Sequence, residues 1–88
     1  MTPKENNMRY FICNMNNIPV YGTKQEYEII KNTYITQEMM DNLDSKTIKN
    51  LSVDLANNMI HIYEFKYRIL KENGYKFKLF FDVEQVMK

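Results

Sequence analysis

Few side chains in this chain of 88 residues have the type and spacing that chemistry requires. His61 is the only histidine, and Glu64 follows it three residues later, which is the spacing of a proton-sharing pair on one helical turn. No HExxH arrangement accompanies the pair. We therefore interpret His61 as a solvent-exposed residue on the polar side of a helix.

Cys13 is the only cysteine, so the chain has no intrachain disulfide. It has no Cys or His neighbour at metal-ligand spacing, and the sequence shows no adjacent base that could activate a thiolate. The strand-like segment around it predicts a small, buried hydrophobic residue instead.

Closely spaced acidic residues are the remaining candidates for a metal site or for acid–base chemistry. A divalent cation takes more oxygen ligands than one such pair provides, and two glycines are too few for a phosphate-binding loop. We therefore expect no enzymatic activity, no metal and no cofactor. The pairs, interpreted as solvated or matched to helix dipoles, are Glu26 and Glu28, Glu38 and Asp41, and Asp41 and Asp44.

The composition is that of one small folded domain with nearly balanced charge. Lys and Arg number 12 against 11 Asp and Glu, which argues against a strongly cationic nucleic-acid binder and against an acidic nucleic-acid mimic. Hydrophobic residues make up 44% of the chain, which is enough for a core. We expect a polar N-terminal tail over residues 1–7 and a single domain over residues 8–88. Because no leader-like or membrane-spanning apolar stretch is present, the expected location is the cytoplasm.

Residue usage is skewed toward Asn, Lys, Ile, Tyr and Phe, which together supply nearly half of the chain. Codons for these residues are rich in A and T, so an AT-rich genome is expected. Phages, plasmids and low-GC bacteria have such genomes, and a phage protein would work in the cytoplasm of the host cell.

The first half of the domain predicts a β-hairpin followed by an ambiguous segment. Residues 8–13 and 18–21 are rich in strand formers and flank an Asn-rich turn at 14–17. Pro19 lacks a backbone donor, which predicts that the second strand is an edge strand or contains a bulge. In residues 24–35 the apolar residues follow helical spacing, but the local composition suits a strand, and we favour a third strand or an irregular segment.

Helix signals dominate the second half. Thr36 is expected to cap a short helix, and Asp44 or Ser45 is expected to cap a second one that reaches Leu51. A longer third helix follows, and it is the clearest element in the sequence.

The third helix is expected to run from about Val53 to Asn73, with Ser52 as its N-cap and Gly74 just beyond its end. At 100° per residue, its apolar arc is about 220° wide, which is roughly twice the stripe of an ordinary surface helix. A small sheet covers only one side of such a helix, so we expect the rest to meet another chain. This predicts a homodimer or an obligate complex.

After Gly74, residues 75–81 alternate as a half-buried strand does, with Lys76, Lys78 and Phe80 on one side. Asp82 is expected to cap a final turn that contains Val83, Val86 and Met87. The predicted fold class is α+β: a small antiparallel sheet, made of the N-terminal hairpin and the C-terminal strand, packed on a long amphipathic helix with one or two short helices.

Adaptable apolar side chains suggest a protein-contact surface. The chain has seven Met and seven Tyr, which are adjustable or amphipathic residues, and Tyr is frequent at interfaces. The alternative is that they fill gaps in a small core without Trp. The candidate protein contacts are Met39, Met40, Tyr63, Tyr67 and Leu70.

Positive charge is concentrated between residues 66 and 78, where basic residues outnumber acidic ones and aromatic residues are interleaved. Single-stranded nucleic acid needs cations for its phosphates and rings for its bases. Strand alternation, however, places Tyr75 and Phe77 on the opposite face from the neighbouring lysines, so we expect only weak, salt-sensitive binding. The candidate nucleic-acid contacts are Lys66, Arg68, Lys71, Lys76 and Lys78.

We find no motif that places the sequence in a known family. The expected function is that of a small, non-enzymatic protein-binding module that acts by docking. A phage- or mobile-element-encoded regulator or inhibitor of a host protein, such as a host-defence antagonist, fits the length and the residue usage. The alternative is a nucleic-acid-binding regulator that uses residues 66–78.

Overall fold

The computed structural model describes residues 9–82, which form a three-stranded sheet and four helices. In chain order the elements are β1 (Tyr10–Met15), β2 (Ile18–Gly22), α1 (Lys24–Asn32), α2 (Gln37–Asp41), α3 (Ser45–Ala56), α4 (Ile62–Glu72) and β3 (Leu79–Phe81). The predicted α+β class is confirmed. The tail predicted for residues 1–7 and the final turn predicted for residues 83–87 lie outside the described residues.

β1 and β2 form the predicted hairpin, which is joined by a two-residue turn. Asn16 and Asn17 both have positive φ, 55° and 66°, which matches the twist of a tight antiparallel turn and which Asn tolerates. β3 pairs antiparallel with β2, so the order across the sheet is β1-β2-β3. A bulge in β1 between Phe11 and Cys13 shifts the register of the hairpin.

Pro19 lies in the central strand, which corrects the expectation that β2 is an edge strand; the irregularity of the ladder lies in β1. The Pro19 carbonyl accepts a hydrogen bond from the Asp82 N–H at 2.9 Å, just beyond the last paired residue of β3. The nitrogen and the carbonyl of one strand residue point to the same side. The missing donor of Pro19 therefore faces the end of β3, where it does not interrupt the ladder with β1.

α1 occupies most of residues 24–35, so the strand or irregular segment expected there is wrong. Thr23 caps the helix, because its hydroxyl accepts a hydrogen bond from the Glu26 N–H. Helical spacing buries Ile30 completely and places Tyr27 against the same cluster. The apolar periodicity outweighs the local strand propensity because it lets α1 cover the sheet.

The single long helix expected from about Val53 to Asn73 is divided into α3 and α4. Between them Asn58 adopts a φ of 60°, and a left-handed residue interrupts a right-handed helix. The His61 Nδ1 then accepts a hydrogen bond from the Tyr63 N–H at 2.9 Å and caps α4. His61 is therefore a helix cap, which corrects its placement in the middle of a long helix.

The other helix ends follow local signals. Thr36 caps α2 and Asp44 caps α3, as predicted, whereas Ser52 lies inside α3 and caps nothing. Gly74 follows the end of α4 with a φ of 96°, which glycine adopts without strain. Among residues 9–82, no helix has the length and the apolar character that crossing a membrane requires.

β3 is shorter than the strand predicted over residues 75–81. Leu79 pairs with Gly22, the last residue of β2, after which the chain turns into α1. Residues 75–78 therefore have no strand to pair with, although Phe77 and Leu79 still pack against the core as the alternation predicts.

α4 lies between two hydrophobic clusters. The first joins the inner side of the sheet to α1, and Tyr63 and Tyr67 of α4 pack against it. Its buried members are Ile12, Cys13, Met15, Val20 and Ile30. The second joins the α2–α3 segment to α4, and its buried members are Leu43, Leu51, Phe65 and Ile69. Most of the wide apolar arc is therefore covered within the chain, whereas Ile62 of α4 stays 42% exposed and Met59, just before α4, 72% exposed.

Candidate functional site

The two side chains best suited to chemistry, those of Cys13 and His61, both have structural roles. Burial raises the pKa of the Cys13 thiol to about 11, and the negative charge of Glu64 acts in the same direction. The thiol stays protonated at neutral pH, so Cys13 is the small core residue that the sequence predicts. His61 caps α4. Within residues 9–82, no three His, Cys, Asp or Glu side chains form a group that could hold a metal ion.

Acidic residues near α2 and α3 stabilise helix ends. The Asp44 carboxylate accepts hydrogen bonds from the Thr47 hydroxyl at 2.6 Å and from the Thr47 N–H at 3.2 Å, and both lower the pKa of Asp44. Glu38 lies in the first turn of α2, and the Gln37 side chain donates a hydrogen bond to Asp41. These contacts account for the close acidic spacing without a bound cation.

The candidate protein contacts do not form one exposed surface. Met39 and Met40 are half-buried against the second cluster, whereas Tyr63 and Tyr67 are half-buried against the first. Leu70 is completely buried. These five residues contribute mainly to packing inside the chain, and Leu70 could reach a partner only if α4 moved.

The candidate nucleic-acid contacts are distributed over several surfaces. The Lys66 Nζ donates a hydrogen bond to the Lys31 carbonyl at 2.9 Å, which ties Lys66 to the end of α1. Arg68, about 200° further around the helix axis, pairs with Glu64 at 2.9 Å. Lys78 is exposed and lies in sequence between Phe77 and Leu79, which pack against the first cluster. The predicted segment therefore does not present its charges as one patch.

Lys71 and Lys76 are the two candidate residues that do come together. They line one shallow pocket with Tyr67, Tyr75 and Phe77. The Tyr75 and Phe77 rings stack there, with centroids 6.2 Å apart and planes at 15°. This pocket therefore brings two lysines and three aromatic rings together.

The side of the sheet that faces away from the helices carries a row of aromatic side chains. Phe11 pairs with Tyr21 across β1 and β2, and Tyr21 pairs with Phe80 across β2 and β3. Directly paired residues of antiparallel strands lie on the same side of a sheet. None of the three belongs to either hydrophobic cluster. Together with Arg9, they form what we call the aromatic face.

Side chains of the aromatic face contact one another. The Phe11 and Tyr21 ring centroids lie 5.6 Å apart with planes at 67°, which is an edge-to-face contact. The Arg9 guanidinium lies over the Phe80 ring, with its central carbon 3.9 Å from the centroid, as in a cation–π pair. Phe11 is 49% exposed. Clustered apolar surface of this kind is characteristic of interaction sites.

Sequence reasoning missed the aromatic face because it did not assign Phe11 and Tyr21 to either side of the sheet. One signal was present: Phe80 alternates in phase with Lys76 and Lys78, so it shares their solvent side. The row itself depends on the register of three strands, which brings residue 11 and residue 80 to the same side of the sheet.

A groove of about 330 Å³ opens between the hairpin turn, α3, α4 and the end of β3. Its polar lining includes Arg68 and Lys71 of α4 and the turn residue Asn16. Its apolar lining is Met15, Ile18, Leu43, Leu51 and Phe81. We call this cavity the Arg68 groove. Sequence reasoning could not find it, since its lining comes from segments far apart in the chain.

Comparison of the chain with protein-family models, with curated proteins and with solved structures gives no match. What the chain does is therefore inferred from its own residues. The aromatic face, the Arg68 groove and the pocket of Lys71 and Lys76 are the surfaces on which we base this inference.

Proposed function

We propose that this chain is a small, non-enzymatic docking module that binds another protein through the aromatic face. The observation that carries the proposal is the row of Phe11, Tyr21 and Phe80, in register on the side of the sheet away from the core. Aromatic residues and Arg are enriched at the centres of protein interfaces. The aromatic face supplies both residue types.

The arrangement of the rings favours a protein partner over single-stranded nucleic acid. Bases stack on open ring faces, but Arg9 covers the Phe80 ring and Phe11 meets Tyr21 edge to face. Arg9 is the cation that contacts these rings among residues 9–82, and the whole chain has a net charge of +1. Such a surface gains little from phosphates and much from burying its rings.

We propose further that the expected homodimer, if it forms, uses the aromatic face and not α4. A two-fold arrangement would stack the faces of two copies and bury both rows of rings. Light scattering at micromolar concentration would then give twice the chain mass of 10.7 kDa, and Phe11→Lys would return the protein to a monomer. A monomeric wild type would mean that the partner is a different protein.

The biological setting that we propose comes from composition. The AT-rich residue usage and the short chain suit a phage- or mobile-element-encoded regulator, such as an inhibitor of a host-defence protein in the cytoplasm of the host cell. Docking alone is sufficient for such a role, because covering a partner's surface blocks it without chemistry.

The experiment that tests docking is affinity capture with nuclease treatment, using Phe11→Lys plus Tyr21→Lys as the aromatic-face variant. We expect wild type to retain one stoichiometric partner after RNase and DNase, and the variant to lose it. Tyr34→Lys is the matched control, because Tyr34 is 82% exposed and lies outside the aromatic face. Retention of the same partner by the aromatic-face variant would contradict the proposal.

Nucleic-acid binding remains a second candidate function because Lys71 and Lys76 share a pocket with the stacked Tyr75 and Phe77 rings. Fluorescence anisotropy with single-stranded DNA and RNA at about 150 mM salt tests it. Sub-micromolar affinity that is lost in Lys71→Glu plus Lys76→Glu, but kept in the control Lys49→Glu, would make this the better function. If the double substitution leaves the affinity unchanged, this pocket is not the nucleic-acid binding site.

A further inference from the structure

We infer that the Arg68 groove binds a small apolar ligand that carries one carboxylate group. At about 330 Å³, the groove has the size of the smaller ligand sites in proteins. One part of its lining is apolar and the other part donates hydrogen bonds, so a ligand that satisfies both is amphiphilic. The inference is independent of the aromatic face, which lies on the other side of the sheet.

The apolar part of the groove is built from core residues that reach the surface. Met15, Leu43 and Leu51 are 4%, 8% and 8% exposed, so packing holds them in place. Phe81 points to the inner side of the sheet, since it pairs with the buried Val20, yet it is 46% exposed. A hydrocarbon chain in the groove would bury this ring, which is a favourable hydrophobic contact.

The polar part of the groove is organised by a buried carboxylate. Glu64 is 2% exposed, and its Oε2 lies 2.9 Å from the Arg68 Nε. A carboxylate buried this deeply is unfavourable unless it is paired, so Glu64 fixes the guanidinium in position. The Arg68 side chain still remains 47% exposed and lines the groove.

The Arg68 guanidinium has donors left for a ligand. Among the side chains of residues 9–82, only Glu64 bonds to it, and it does so through Nε. The two terminal nitrogens can donate parallel hydrogen bonds to a carboxylate, which is the strongest way in which Arg binds this group. Lys71 and Glu72 also line the groove. With Glu64 counted, two cations stand against two carboxylates, so the free guanidinium donors, and not a surplus of positive charge, select a carboxylate ligand.

The test uses octanoate as the probe, with 1-octanol and octylamine as matched probes that lack the carboxylate. Methyl NMR reports the site, because Met15 lines the groove and Met59, which is 72% exposed, lies outside it. We expect octanoate to shift the Met15 methyl signal saturably and to leave that of Met59 unchanged. We expect 1-octanol to bind at least about tenfold more weakly, since it cannot form charge-assisted hydrogen bonds with Arg68.

Substitutions separate recognition of the carboxylate from packing. Arg68→Gln should lower the affinity for octanoate by about tenfold or more and leave the affinity for 1-octanol unchanged. Because Arg68→Gln leaves Glu64 buried without its partner, Glu64→Gln plus Arg68→Gln is measured beside it, and circular dichroism checks folding. Lys76→Gln, outside the groove, is the matched control.

Three results would overturn the inference: equal affinity for octanoate and 1-octanol, unchanged octanoate binding in the double variant, or no Met15 shift with millimolar octanoate. The aromatic-face variant, Phe11→Lys plus Tyr21→Lys, should keep full octanoate binding. Failure of the ligand site and failure of the docking proposal are therefore distinguishable.

Discussion

Cys13, Glu64 and Arg68 form a series from the core to the surface. Burial, and secondarily the charge of Glu64, raises the pKa of Cys13, while Glu64 itself is paired with the half-exposed Arg68. A protonated thiol in the core has no means of acting as a nucleophile. Of the three side chains, that of Arg68 is the most exposed, at 47%.

The Cys13 thiol is expected to resist alkylation in the native protein. With a pKa of about 11, only about one thiol in a thousand is ionised at pH 8, and the residue is also 2% exposed. Mass spectrometry after iodoacetamide treatment should show labelling in guanidinium chloride and almost none in buffer. If Cys13 is labelled in buffer as fast as it is in guanidinium chloride, its thiol is accessible in the native protein.

The cap at Asp44 is expected to make stability depend on pH in the acid range. Its pKa is lower in the folded chain than the ordinary 3.8, so the ionised carboxylate stabilises the fold. That contribution is complete above the ordinary pKa and is lost as the pH falls through the lower, folded value. Asp44→Ala should therefore reduce Tm at pH 7 and reduce it much less at about pH 2. A deficit of equal size at both pH values would rule out the ionised cap.

At the scale of elements, each helix begins at a side chain that accepts a hydrogen bond from its first turn. Thr23, Thr36, Asp44 and His61 have this role for α1 to α4 in order. The boundary between α3 and α4 is the unusual one, because apolar spacing continues across it. Asn58 in the left-handed conformation ends α3 there, and the two helices can then pack against each other.

Substitution at Asn58 is expected to show this conformational requirement. Asn58→Val should lower the free energy of unfolding by roughly 1–2 kcal/mol, because a β-branched residue is strained at positive φ. Asn58→Gly should be as stable as wild type or more stable. Asn57→Val is the matched control, since Asn57 is also exposed but has a φ of −94°. Urea unfolding measures all three, and equal effects at both positions would contradict the assignment.

At the scale of the whole molecule, α4 couples the two hydrophobic clusters. Tyr63 and Tyr67 contact the sheet cluster, and Phe65 and Ile69 belong to the cluster beneath α2 and α3. Loss of packing on one side of α4 is therefore transmitted to the other. We expect the described domain to unfold as one cooperative unit.

Ile69→Ala is expected to test this coupling. Ile69 is completely buried, so the substitution should cost roughly 2–5 kcal/mol, while Ile62→Ala on the 42% exposed position of the same helix should cost far less. Far-ultraviolet circular dichroism and tyrosine fluorescence should give coincident urea transitions for both variants. Separate transitions would show that the clusters unfold independently.

Local features of this protein could be predicted from the sequence because they depend on a few neighbouring residues. The Asn turn of the hairpin, the caps at Thr36 and Asp44, the stop at Gly74 and the inward placement of Cys13 are of this kind. The turn, the two caps and the stop are each decided by backbone preference or by a hydrogen bond over three residues or fewer, whereas the burial of Cys13 follows from its small apolar side chain in a strand-forming segment. The α+β class followed from the order of these signals.

Other features were decided only by the tertiary structure. Residues 24–32 became a helix because the inner side of the sheet required a cover, and β2 became the central strand because β3 returned to it from the far end of the chain. When both sides of a strand are apolar, the alternation of its side chains does not determine which side faces the core. Strand register joined Phe11 to Tyr21 and Phe80, and the packing of α3 and α4 beside the hairpin turn opened the Arg68 groove. Such contacts join residues that are distant in sequence, so no local pattern specifies them.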